Sequence, residues 1–104
     1  MTRTALTAAL SVALACADTA HAATPRVEIQ QFAFSPARLE VPVGTTVVWT
    51  NRDDESHTVT ALDRRYTSSG LEHGESYAHR FNAPGTYTYF CALHPHMTAT
   101  VVVK

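Results

Sequence analysis

Residues 45–50 read T-T-V-V-W-T, three β-branched threonines around two valines and a tryptophan. As a strand this stretch puts Val47 and Trp49 on one face and Val48 on the other, because side chains alternate along an extended chain. Other segments on either side have the same character. Residues 27–30 (V-E-I-Q) alternate as a half-buried strand does. Residues 38–41 form a second short run, closed by a Pro42-Val43-Gly44 turn. Further runs follow at 57–61, 76–81 and 98–103. Residues 85–91 place Tyr87, Tyr89 and Cys91 on one face and Thr88 and Phe90 on the other, after a turn at Asn82-Ala83-Pro84-Gly85. Seven short strands punctuated by Pro, Gly, Asn, Asp and Ser, with no good amphipathic helix, predict an all-β Greek-key sandwich. Residues 62–75 fit neither pattern and are left as a loop or one helical turn.

The first 22 residues stand apart. Arg3 is followed by a small and apolar run over residues 5–17, and Ala20-His21-Ala22 has the small-x-small form of a signal-peptidase site. The reading is a signal peptide over 1–22, removed after Ala22, and one domain over 23–104. The apolar run is too short to span a bilayer, and no later segment does better. Leu14-Ala15-Cys16 partly resembles a lipoprotein cleavage site, so lipidation at Cys16 is the alternative fate of the same segment. The 104-residue chain carries 8 Lys+Arg against 9 Asp+Glu, a net charge of −1. The leader contributes one charge of each sign, so the domain keeps that near-neutral balance and has no field suited to nucleic acid or an anionic membrane. With Cys16 in the leader, Cys91 is the only cysteine of the domain. It has no intramolecular disulfide partner, and a lone thiol in an oxidising compartment is safe only when buried or bound.

The chemistry concentrates at the end of the chain, where residues 91–97 read C-A-L-H-P-H-M. Cys91, His94 and Met97 follow a Cys-x-x-His-x-x-Met spacing, and Pro95 favours a tight turn. Three donors leave a site one short. His57, at the start of its segment and the end of a polar loop, is the best fourth candidate. A thiolate and a thioether are soft donors that suit Cu(I), and imidazole accepts Cu(II) as well, whereas zinc prefers Cys and His without Met. Each residue also has an ordinary role, Cys91 and Met97 as core and His57 as a surface or capping histidine. Agreement of four residue types, spacing and fold class favours the metal. His96 is the alternative to His94 as a ligand, or the start of a second site. His73 and His79 read as surface residues, Trp49 as core, and Asp53-Asp54-Glu55 as a solvated acidic loop. Thr58 is expected to bond across to the Cys91 loop and tie the two halves of the site.

Several segments in order resemble the cupredoxins, the small blue copper proteins, in particular the amicyanin, pseudoazurin and plastocyanin group. They are Val27-Glu28-Ile29 with Phe32 and Phe34-Ser35-Pro36; residues 43–51 (V-G-T-T-V-V-W-T-N), similar to a G-T-x-V-x-W-x-N strand; and His57-Thr58-Val59-Thr60. Ser69-Gly70-Leu71, Gly74-Glu75-Ser76, Pro84-Gly85-Thr86-Tyr87 and Tyr89-Phe90-Cys91-Ala92-Leu93-His94-Pro95 complete the series. The short spacing of Cys91, His94 and Met97 resembles the amicyanin loop. The resemblance implies one type 1 copper ion with His57, Cys91 and His94 as equatorial ligands and Met97 as a weak axial one. It also implies a periplasmic, monomeric one-electron carrier, not an enzyme. Its partners would be transient redox proteins, a dehydrogenase as donor and a c-type cytochrome as acceptor. His96 departs from the pattern, standing where such loops carry a bulky apolar residue, and Phe90 stands where plastocyanin has Tyr. Two other functions use similar donors: copper delivery or storage, and a fragment of a copper reductase.

Overall fold

The computed structural model describes residues 24–104; the signal segment 1–22 and Cys16 lie outside the described residues. Eight strands run in the order β1 (Arg26–Gln30), β2 (Ala33–Ser35), β3 (Arg38–Val41), β4 (Thr45–Asn51), β5 (Thr60–Ala61), β6 (Ser76–Phe81), β7 (Gly85–Cys91) and β8 (His94–Val103). They form two four-stranded sheets, β2-β1-β4-β6 and β3-β8-β7-β5. β1 runs parallel to β4 and β3 parallel to β8, while the other pairings are antiparallel. Parallel neighbours need crossovers, so the chain passes repeatedly between sheets and the expected all-β sandwich results. No helix among the described residues is long and apolar enough to cross a membrane.

The core lies between the inner faces. Val27, Ile29, Val47, Trp49 and Phe81 come from one sheet, and Tyr89, Cys91, Met97, Ala99, Val101 and Val103 from the other. The alternation read from the sequence is what puts them there. Along β8, Met97, Ala99, Val101 and Val103 point inward at every second position. Trp49 is fully buried and packs edge-on against Tyr89, with ring centroids 5.4 Å apart. Burying an aliphatic side chain of the Val or Ile kind contributes roughly 1.5–3 kcal/mol, so this paired face accounts for much of the driving force.

Three boundaries differ from the sequence reading. There are eight strands instead of seven, because Ala33–Ser35 turns back on β1 as a three-residue hairpin arm. β8 begins at His94, four residues before the expected start. Residues 57–61 are not one strand. Only Thr60–Ala61 pairs in a sheet, with His57 as an isolated bridge to Leu71. All five side chains of that segment are buried, and its backbone groups find partners outside a ladder. The Val59 N–H donates to Ser68 Oγ at 2.9 Å, and the Ser68 N–H to the Val59 carbonyl at 2.8 Å. Residues 62–75 are the loop that supplies those partners, anchored by the inward Tyr66, Ser68 and Leu71, and contain no helical turn.

Candidate metal centre

β7 and β8 form a hairpin in which Cys91 pairs with His94 across a two-residue turn, Ala92-Leu93. The register shifts between Phe90 and Cys91. Such an irregularity re-aims the side chains at the strand end. Cys91 is fully buried, His94 is half-buried and opens toward solvent, and Met97 is 3% exposed. His57 arrives from the opposite side, fully buried, with its backbone bonded in both directions to Leu71 at 3.1 and 2.7 Å.

The ligating atoms of His57, Cys91 and His94 lie within 4.8 Å of one another. Cys91 Sγ is 3.7 Å from His57 Nδ1 and 3.6 Å from His94 Nδ1. A nitrogen at about 2.0 Å and a sulfur at about 2.3 Å from a central ion, spread evenly in one plane, stand roughly 3.7 Å apart, so these separations fit a shared metal. The tautomer of His57 fits as well. Its Nε2 lies 2.8 Å from Asp53 Oδ2, a carboxylate that only accepts. The ring proton therefore sits on Nε2, and the Nδ1 lone pair is left facing Cys91. The Thr58 N–H points at Cys91 Sγ at 3.3 Å, a donor suited to a thiolate. Two imidazoles and a thiolate, with the Met97 thioether buried three residues beyond His94, make a donor set suited to copper in both oxidation states.

Thr58 makes the expected bridge: the Ala92 N–H donates to Thr58 Oγ1 at 2.7 Å. The acidic loop is a correction. Asp53 is not a solvated residue, because its side chain is only 13% exposed. Its carboxylate accepts from the backbone N–H groups of Gln31 at 2.7 Å and Phe32 at 2.9 Å. Burial opposes its charge, but the N–H groups of Phe32 and Gln31 and the His57 ring outweigh that and hold its carboxyl below the usual range. Asn51, fully buried, fastens the same loop. It donates to the Glu55 and Leu71 carbonyls, both at 2.8 Å, and accepts from the Asp53 N–H at 2.9 Å. Phe32 is the second residue whose place the sequence does not reveal: its ring meets both His57 and His94 edge-on. His96 is exposed on β8 and outside the cluster, and His73 is exposed. His79 is half-buried instead of free on the surface, stacked on Tyr66 with centroids 4.1 Å apart.

The family description "Cupredoxin-like domain" matches residues 3–103. The chain belongs to the cupredoxin-like family. This cupredoxin is 34% identical to amicyanin-alpha of Methylorubrum extorquens, over 94% of this chain and 87% of that protein. Among solved structures, a purple cupredoxin from Nitrosopumilus maritimus superposes with a TM-score of 0.73 at 32% identity, covering 77% of this chain and 99% of that one. A copper(I) amicyanin variant superposes at 0.74 with 29% identity, covering 78% and 82%.

Proposed function

We propose that this cupredoxin is a periplasmic type 1 copper protein that carries single electrons between redox proteins. His57, Cys91 and His94 would hold the ion, with Met97 as the weaker fourth donor. The observation that carries the reading is the convergence of His57, Cys91 and His94, from two separate parts of the chain, to within 4.8 Å. A copper ion in this donor set supplies one-electron Cu(II)/Cu(I) exchange.

The protein's own part is to keep the donors still. Cys91 and His94 are fixed by the β7–β8 hairpin, Met97 by the core face of β8, and His57 by Leu71 and Asp53. The Thr58–Ala92 bond locks the two sides together. A site that barely moves between oxidation states suits fast exchange. His94 is the half-buried member, and exposed Ala92, Leu93 and Pro95 lie around it in the sequence. Leu93 is 54% exposed and Phe32, which touches His94, is 41% exposed. A small apolar surface of this kind suits brief docking better than permanent association. The partners in this reading are a dehydrogenase as donor and a c-type cytochrome as acceptor, met by a monomer. The chain is exported by its signal segment and is a carrier instead of an enzyme.

Visible absorption and electron spin resonance of the copper-loaded protein test this. Intense blue Cu(II) with a narrow hyperfine splitting is expected. A colourless protein that holds only Cu(I) would overturn the reading in favour of delivery or storage.

A further inference from the structure

The β1–β2 turn is built against local preference. Gln30 pairs with Ala33, so Gln31 and Phe32 are its two central residues, and both have positive φ, 55° and 58°. Turns of this type favour Asn-Gly, because a side chain with a Cβ is crowded in the left-handed region. Here the positions hold a glutamine and a phenylalanine. Their two N–H groups converge on one carboxylate, Gln31 on Asp53 Oδ1 and Phe32 on Asp53 Oδ2. The same Oδ2 holds His57 Nε2. The turn delivers the Phe32 ring to a specific place. Its centroid is 5.0 Å from His57 at 89° and 4.9 Å from His94 at 81°. The two imidazoles are themselves 5.0 Å apart, so the three rings form a nearly equilateral triangle.

We infer that the β1–β2 turn is a positioning element of the metal site: Asp53 holds Gln31 and Phe32 in the left-handed conformation, and the held Phe32 ring fixes the planes of His57 and His94. This rests on reading those histidines as ligands. His94 needs such a stop more than His57. It follows a two-residue turn and is half-exposed, whereas His57 is enclosed and bonded through Nε2. Asp53 thus acts along two routes, directly on His57 and through the turn on both rings. Phe32 acts through the histidines, and its large exposure means that its removal leaves the core intact.

The test compares wild type, Phe32→Ala and Asp53→Ala. Metal-free protein is examined by proton NMR, and Cu(I)-loaded protein by transfer to a Cu(I) chelator. Wild type should show contacts from the Phe32 ring to both imidazoles without metal. Phe32→Ala should release Cu(I) about tenfold faster, the low end for loss of a group that orients a ligand. Asp53→Ala should lose the Phe32–His94 contact although the ring is still present. Absence of the ring contacts in wild type, unchanged Cu(I) release in Phe32→Ala, or a Phe32–His94 contact that survives in Asp53→Ala would overturn the inference. The ligand reading fails separately, if His57→Ala and His94→Ala both keep the blue spectrum.

Discussion

The Ala92 N–H donates to Thr58 Oγ1 at 2.7 Å, joining residues 34 apart in sequence. Through it the turn after Cys91 is bonded to the segment that follows His57. The neighbouring Thr58 N–H reaches Cys91 Sγ itself, so one residue restrains the thiolate and the loop that carries it. Thr58→Ala deletes the acceptor and leaves the Ala92 N–H without it. We expect a loss of about 1–3 kcal/mol in the metal-free protein, faster copper loss and a shifted reduction potential. Thr58→Ser, which keeps the hydroxyl, should recover most of each. A denaturant titration and a potentiometric titration of both variants check this. An unchanged potential and unchanged copper retention in Thr58→Ala would remove Thr58 from the site.

Met97 has a packing role and a proposed ligand role, which substitution separates. It is 3% exposed on the core face of β8, so Met97→Ala should destabilise the metal-free protein by about 2–5 kcal/mol. Met97→Leu preserves volume and should cost less than about 1.5 kcal/mol. Both remove the thioether, so both should change the visible spectrum and reduction potential of the copper form. A Met97→Leu protein with wild-type spectrum and potential would leave Met97 as core filler only.

The candidate ligand set was legible because sequence separation is short where it matters. Cys91, His94 and Met97 sit on one hairpin, and soft donors spaced three apart around a tight turn can reach a common point. The sandwich was legible because β4, β7 and β8 alternate cleanly. Asp53 and Phe32 were not legible. They meet across 21 positions through a backbone N–H, and Phe32 reaches the histidines only with a positive φ that its residue type disfavours. A carboxylate four residues before a candidate ligand was the available signal, and solvated acidic runs are common enough to hide it. Residues 57–61 misled for a related reason. Their β-branched side chains favour a strand, but Ser68 takes the backbone partners that a neighbouring strand would supply.

Asn51 uses both of its side-chain ends inside the fold, donating twice and accepting once around the loop that runs to His57. Three such bonds, each contributing about 1 kcal/mol net, put the expected loss for Asn51→Ala near 3 kcal/mol. Asp53 is one of the residues released, so the copper spectrum should broaden as well. Chemical denaturation of the metal-free form measures the first effect and spin resonance the second. A loss below the scatter of surface substitutions, about 0.5 kcal/mol, would mean the loop is held by its other contacts.

Tyr66 points the other way. Its hydroxyl is buried without a hydrogen-bond partner, and burial, helped by Tyr89 and Tyr77, pushes its pKa well above the ordinary value of 10.0. In the folded protein the phenol stays protonated where the unfolded chain already ionises. The unfolded state therefore binds fewer protons above about pH 10, and stability must fall as pH rises beyond that point. Below it the group leaves stability independent of pH. Tyr66→Phe removes both the stranded hydroxyl and the titration. It should be neutral or stabilising by about 1 kcal/mol at neutral pH, where a Tyr→Phe change that breaks a bond would destabilise. It should also make the alkaline limb of the stability curve shallower, leaving the part due to Tyr89 and Tyr77, which burial raises as well. Urea titrations from neutral pH to about pH 11 on both proteins check the pair of effects. A variant that is less stable at neutral pH and keeps the wild-type alkaline slope would show that the Tyr66 hydroxyl has a partner after all.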